Sequence, residues 1–455
     1  MRSEVRGMRS RRNKPDRSAS PPPAGKNIRD PVHKDIRLSA AEVEVVDTPE
    51  MQRLRGIRQL GAAFYVYPGA QHSRFEHALG TCWMAGRILS HIESAGTRFD
   101  ETDRLAVCLA ALAHDVTHVP FGHTFEDERK LLPRHDESAA RYEHFLVSGE
   151  LGRVLQSSEA GRLALEILRP GAEMPRERRH LRQIVSGTIC ADLLDYLKRD
   201  NYFCGLSLEY DDRVFNCFTI AGGSLALDLQ HQGLFRHDAL TEVTNLLRIR
   251  YVLSERVYYH HAKIACGVMI SKAVERALAA GMKESDLYAL TDDALPFYLE
   301  ERFGRDAGLR ELLAALRGRQ LFKRCYMLSR EAGEKAVAEL VRRHHLNEDG
   351  ARGAAEQEIA RALDAEAHEV AIYCPSEGMA LKEADAPVLL GGGKIVRFAE
   401  LNHAEIQVLT NQHRALWRFY VFVSRRLAAD RERAGEVCER VLGLANELPR
   451  EMRGI

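Results

Sequence analysis

The chain has no two cysteines in a CxxC spacing, no apolar run near the ~18 residues that a membrane-crossing helix needs, and no excess of either charge. Each absence excludes something. Its nine cysteines, an odd number, are scattered from Cys82 to Cys438, which excludes a zinc ribbon and argues for reduced thiols over a disulfide framework. With neither a long apolar run nor the apolar stretch of a signal peptide, the sequence reads as soluble and cytoplasmic, with no membrane partner. Lys plus Arg and Asp plus Glu number 65 each, so nothing attracts the chain to nucleic acid in general. Any polyanion has to be met locally.

What is present bounds the fold. At 455 residues and 45% hydrophobic content, the chain can bury one large core or a main domain with a smaller companion. Residues 1–25, "MRSEVRGMRSRRNKPDRSASPPPAG", are rich in Arg, Ser and Pro and read as a disordered basic tail. That tail is a solvated extension, a stretch upstream of a true start at Met8, or an arm for nucleic acid or regulation. "EMQRLRGIRQLGAAF" and "RFEHALGTCWMAGRILSHIES" space apolar residues at three and four, predicting helices. In "DRLAVCLAALAHD" apolar residues wrap most of the helix, which should lie mid-domain. Residues 240–282 and 296–345 also read as helical. Past about Glu366, "HEVAIYCP", "APVLLGGGKIVRF" and "LWRFYVFV" are short β-like runs cut by Gly and Pro. The expectation is a mainly α fold: an all-α core over 26–345 and a smaller mixed α/β lobe over 346–455. "LLGGGKI" lacks the glycine spacing and Ser or Thr of a phosphate loop, so it is expected to be a hairpin turn.

Histidine and aspartate are dense in four segments. These are "AQHSRFEHALG" with His72 and His77, "AHDVTHVPFGH" with His114, Asp115, His118 and His123, "RHDES" with His135, and "ICADLLDYLKRDNY" with Asp192, Asp195 and Asp200. A hydrolytic metal site needs neutral imidazoles and carboxylates with positions left open for water and substrate, and His77, His114, Asp115 and Asp192 can supply that set. Because His114 and Asp115 are adjacent, they can meet one ion only where their helix ends. The plain alternative for His72, His144 or His260 is a hydrogen-bonded structural histidine. For Asp195 and Asp200 it is helix pairing with Lys198 and Arg199.

The order H…HD…D, with "FYVYPGAQHSRFEHALG", "HDVTHVPFGH", "DTPEMQRLRGIRQLGA" and "DYLKRD", resembles the HD-domain metal-dependent phosphohydrolases. Within them it is most similar to the deoxynucleoside triphosphate triphosphohydrolases that carry a sterile alpha motif and an HD domain, and to their bacterial relatives. The likeness covers roughly residues 26–275, with no sterile-alpha-motif region before it. Position by position, the resemblance implies His77, His114, Asp115 and Asp192 as metal ligands. It implies Arg74, His118, His123 and His135 around the α-phosphate, and Gln59, Leu60, Tyr196, Asp200 and Tyr258 around the sugar. Arg250 is a further candidate for the phosphates, with Lys198 and His260, because two positions depart from the family: Leu193 and His261 stand where phosphate-contacting lysines are expected. The resemblance implies Asp47, Gln52 and Arg55 at a regulatory guanine-nucleotide site between subunits, where Lys26 with Arg55 could meet phosphate. The alternative for Asp47 is an N-cap, with Pro49 in the first turn.

The residues suit that chemistry. Arg74 can offset charge growing on phosphate oxygens, His123 can protonate a departing 5′ oxygen, and Leu60 can crowd a ribose 2′ hydroxyl. The expected reaction is hydrolysis of a deoxynucleoside triphosphate to deoxynucleoside and inorganic triphosphate, with a guanine nucleotide as activator. The expected cofactor is a divalent transition metal, Fe, Mn, Zn or Ni, with Mg accompanying the nucleotide. A homo-oligomer, dimer or tetramer, is expected. Rival readings are another HD phosphohydrolase activity, nucleotidase or phosphodiesterase, and a nucleotide-sensing or nucleic-acid-binding protein with a regulatory HD site.

Overall fold

Ser73 and Glu76 start the central helix. In the computed structural model of the chain, which describes residues 25–449, the Ser73 side chain accepts from the Glu76 amide while Glu76 Oε2 accepts from the Ser73 amide at 2.6 Å. The reciprocal pair satisfies two amides that a helix start leaves open. The tail expected over residues 1–25 lies, apart from Gly25, outside the described residues.

That helix, α1 (Arg74–Ser94), packs against both α2 (Glu101–Ala113) and α3 (Ala191–Cys204). Every residue of α2 from Ala106 to Ala113 is buried, as its unbroken apolar sequence predicts. Truncating such a side chain, Leu112→Ala for example, should cost ~2–5 kcal/mol. A left-handed Gly205, φ 68°, caps α3. Two further helices, α4 (His237–Leu253) and α5 (His261–Ala279), are joined by a π turn over Ser254–Tyr258.

Helix accounts for 60% of the structure and strand for 11%. Strands Lys26–Asp30 and Lys34–Leu38 form an antiparallel hairpin ahead of the helices. Phe218–Ala221 and Ser224–Asp228 form another through Gly222 and Gly223, whose φ values of 59° and 83° suit a tight hairpin turn. Ser224–Asp228 also pairs in parallel with Pro387–Leu389, which turns through Gly391–Gly393 into Ile395–Arg397. The "LLGGGKI" stretch is therefore a hairpin turn. A three-stranded sheet runs Lys323–Leu328, Phe419–Val423, Val370–Tyr373.

Three local expectations need correction. Residues 50–64 form no single helix: Pro49–Arg53 is followed by 3-10 turns at Leu54–Gly56 and Gly61–Tyr65, because Arg58 bridges Ser73 and Gly61 takes φ +50°. The helical run expected over 296–345 contains the strand Lys323–Leu328, whose partner lies about a hundred residues on and leaves no local signal; with these hairpins and the short pair Gln230–His231 and Leu234–Phe235, it makes the 26–345 core mainly rather than wholly helical. Asp47 is not an N-cap. Thr48 holds that position, Pro49 does begin the helix, and Asp47 instead ends the helix Ala40–Val46.

Candidate metal centre and active-site cavity

The helix starts and ends deliver the polar groups. Arg74 and His77 sit in the first turn of α1, His114 and Asp115 follow the last residue of α2, and Asp192 lies in the first turn of α3. His77 Nε2 is 3.0 Å from Asp192 Oδ1 and 3.8 Å from Asp115 Oδ2, and His114 Nε2 is 3.8 Å from Asp192 Oδ1 and 3.5 Å from Asp115 Oδ1. The far nitrogens are already engaged: His77 Nδ1 meets Asp195 Oδ2 at 2.7 Å and His114 Nδ1 meets the Ala111 carbonyl at 2.8 Å. Each ring thus presents Nε2 inward, the arrangement by which an outer carboxylate or carbonyl fixes the tautomer of a metal-binding histidine. His114 Nε2 is buried and has no hydrogen-bond partner. His77, His114 and Asp192 bring two imidazoles and a carboxylate around one point, with Asp115 beside them, a set that could hold a divalent metal.

Charge is balanced tightly around this point. Burial alone would raise Asp115, but the Arg74 guanidinium, 2.5 Å away, and neighbouring histidines hold its carboxyl well below the usual range. Burial disfavours protonation of His77, and the Asp192 and Asp195 carboxylates outweigh it, moving its pKa up to about 10. His118, fully buried, is pushed well down by burial and by Arg74. Burial also lowers His135, which stacks on His118 with ring centroids 3.6 Å apart.

Glu126 was not singled out by the sequence, and it organises these histidines. Its Oε2 lies 3.0 Å from His123 Nδ1 and 3.4 Å from His135 Nδ1, while Arg141 donates to Oε1 at 2.7 Å. Burial opposes its ionisation, yet the histidines hold it far below the usual carboxylate range. It stands in a run of acids, "FEDE", and only its i+3 spacing from His123 could have marked it.

A cavity of about 1090 Å³ opens beside the metal set, lined by Arg74, His114, Asp115, His123, His135 and Asp192 and also by Gln59, Leu60, Tyr196, Asp200, Arg250 and Tyr258. His77 and His118 lie behind its wall, fully buried. Asp192, Tyr196 and Asp200 share one face of α3, as i, i+4 spacing predicts. Asp200 accepts from Tyr258 Oη at 2.6 Å and faces His72 Nε2 at 2.8 Å, and the Arg250 guanidinium lies 4.8 Å from the Tyr258 ring centre. Gln59 Oε1 is buried without a partner. The segment past residue 366 also lines the cavity: Glu383, raised by burial against the pull of Arg250, approaches Arg250 at 3.6 Å. Leu193 lines the cavity; Lys198, His260 and His261 do not. His261 is lowered to about 4 by burial and Arg324, so it brings no charge at neutral pH.

Lys26, Asp47, Gln52 and Arg55 lie apart from the cavity. Lys26 Nζ meets Asp47 Oδ2 at 2.6 Å, Gln52 donates to the Val46 carbonyl beside Asp47 at 2.7 Å, and Arg55 Nε donates to Gln52 Oε1 at 2.8 Å. The four form one surface patch.

Comparison with known proteins agrees with this layout. The model of the HD domain matches residues 74–200 and that of the HD associated region matches residues 227–452. The chain is an HD-domain protein with the associated region following. It is 28% identical over 345 residues to the deoxynucleoside triphosphate triphosphohydrolase SAMHD1 of Gallus gallus, covering 66% of this chain and 55% of that one. Against the Homo sapiens protein of the same name it is 29% identical over 343 residues, covering 66% and 54%. The chain thus spans about half the length of the curated relatives it matches. A hypothetical protein from Aquifex aeolicus has a solved structure with a TM-score of 0.67 at 23% identity, covering 90% of this chain and 99% of that one, a likeness of fold. No helix among the described residues is long and apolar enough to cross a membrane.

Proposed function

We propose that the chain hydrolyses deoxynucleoside triphosphates to deoxynucleoside and inorganic triphosphate, with a divalent metal held by His77, His114, Asp115 and Asp192. The observation that carries the reading is one cavity lined both by His114, whose buried, unpaired Nε2 faces two carboxylates, and by Gln59, whose Oε1 is buried and unpaired. Unpaired buried polar atoms are costly without a ligand.

When bound, the metal would acidify a water and draw charge from phosphate oxygens; Fe, Mn, Zn and Ni all suit the donors, and Mg would travel with the nucleotide. Arg74, its Nε buried and unpaired, offsets charge on the α-phosphate. His123, its side chain 43% exposed, keeps Nδ1 on Glu126, which leaves Nε2–H to protonate the 5′ oxygen as the P–O5′ bond breaks. His118 and His135, neutral by burial, accompany them. Gln59, Asp200 and Tyr258 hold the 3′ hydroxyl side of the sugar, Tyr196 and Leu60 wall its 2′ side, and Arg250 reaches the phosphate tail that lacks a lysine at Leu193. The surface patch of Lys26, Asp47, Gln52 and Arg55 takes a guanine nucleotide between subunits of a dimer or tetramer.

Turnover in ¹⁸O-labelled water tests the bond that breaks. Label should enter the triphosphate alone; label in the deoxynucleoside contradicts attack at phosphorus.

A further inference from the structure

Asp195 is packed as though its position matters beyond its helix. It makes the expected i, i+4 pair with Arg199, whose Nε and Nη2 donate at 2.8 and 2.9 Å. Its remaining contacts leave the helix: His77 Nδ1 at 2.7 Å and His33 Nε2 at 2.6 Å, on opposite carboxylate oxygens. His33 comes from the turn of the first hairpin, more than 150 residues away in sequence, and its side chain is 4% exposed. That turn is itself built by Asp30. Asp30 Oδ1 accepts from the amides of Val32 and His33 at 2.9 and 2.7 Å, and Oδ2 accepts from Arg199 Nη1 at 2.8 Å. Gly80, in the middle of α1, makes room for the group, since a β-carbon there would collide with Asp195 Oδ1 and Arg199 Nη2. Glycine inside a helix is less favourable than alanine, and here it admits the buried charges.

We infer that His33 is a positioning residue for the metal centre, fixing the ring of His77 through Asp195. The inference rests on the proposed metal reading. Three donors from two separate elements hold the Asp195 carboxylate: Arg199 fixes it along α3, and His33 fixes it across the hairpin. With both Asp195 oxygens held, His77 Nδ1–H has one direction in which to donate, and Nε2 is aimed at the point between Asp192 and His114 where a metal ion would replace its proton. Removing His33 leaves Asp195 Oδ1 held by Arg199 Nη2 alone, which loosens the carboxylate and His77 with it. Outer partners of metal-binding histidines are generally worth ~10–100-fold in metal affinity, and the same scale is expected here although His33 acts through one intervening carboxylate.

The test measures Mn²⁺ affinity of metal-stripped full-length protein by electron paramagnetic resonance of free Mn²⁺, with circular dichroism melting of the same metal-free samples. His33→Ala should weaken Mn²⁺ binding about tenfold or more, and His33→Gln, which keeps a donor at comparable reach, should restore most of it. Should His33→Ala not fold, His33→Asn, polar but too short to reach Asp195, takes its place with the same expectation. Wild-type affinity in a folded His33→Ala or His33→Asn protein overturns the inference while leaving the metal reading standing. Unchanged affinity in His77→Ala overturns the metal reading and the inference together. An equal loss in His33→Gln and His33→Ala also overturns it, because the donor would then not be what acts.

Discussion

His123 Nδ1 lies 3.0 Å from Glu126 Oε2, and Arg141 holds the same carboxylate from behind at 2.7 Å. Glu126 therefore stays ionised and fixes which nitrogen of His123 faces the cavity. His123→Ala should lower kcat by ~10²–10⁴-fold, the usual worth of a general acid. Glu126→Gln should lower it less, by about tenfold or more, because the imidazole remains but its orientation is no longer fixed by charge. In both variants bound metal, read by elemental analysis, should stay at the wild-type level; loss of metal would place His123 among the ligands instead.

The proposed sugar contacts make a sharper demand. Gln59 Oε1 is buried with no partner, so Gln59→Ala should cost the binding of one hydroxyl, ~1–3 kcal/mol, or roughly ten- to a hundredfold in kcat/KM for deoxynucleotides. Leu60→Gly should relax the exclusion of ribonucleotides. If the wild-type protein already hydrolyses GTP or ATP as fast as the deoxy forms, Leu60 is packing and the sugar assignment fails.

Acid stability should report a buried cluster that ties the later segment to the helical core. Glu356 accepts from Arg129 at 2.7 Å and from Lys272 at 2.6 Å. Burial opposes its charge, but these cations bring its pKa down to about 2. A carboxyl depressed in this way contributes stability that is complete above its unfolded value of ~4.3 and is lost as pH falls through that value toward 2. Glu356→Gln should lower stability at pH 7 by ~3–5 kcal/mol, since it strands buried cations, and the gap to wild type should narrow as pH falls from 5 toward 2. Thermal melts across that range check it; a constant gap would show that the cluster does not titrate with folding.

The guanine-nucleotide role proposed for the patch of Lys26, Asp47, Gln52 and Arg55 predicts coupling between nucleotide and assembly. Added GTP should raise the share of dimer or tetramer measured by light scattering, and Asp47→Ala should remove that response while leaving metal content unchanged. A mass that stays monomeric with and without GTP would contradict this part of the account.

Where much of the candidate site would lie was legible because its residues stand on helix starts and ends whose patterns are local. The apolar wrap of "DRLAVCLAALAHD" located α2, and i, i+4 spacing placed Asp192, Tyr196 and Asp200 on one face. Illegible residues were those whose partners are distant in sequence. His33 meets Asp195 across 162 positions, and Glu383 meets Arg250 from a segment read as belonging to another lobe. The strand Lys323–Leu328 was hidden for the same reason, because its pairing with Phe419–Val423 leaves no local trace. Glu126 was missed for another reason: its acidic neighbours share its spacing cues.

Product identity tests the central claim most directly. Incubating the protein with each dNTP and NTP in Mn²⁺ or Mg²⁺, with and without GTP or dGTP, and separating the products by chromatography should yield deoxynucleoside and inorganic triphosphate from dNTPs, and neither after Asp192→Ala. Formation of a nucleoside monophosphate or diphosphate, or no product under any of these conditions, would contradict the account.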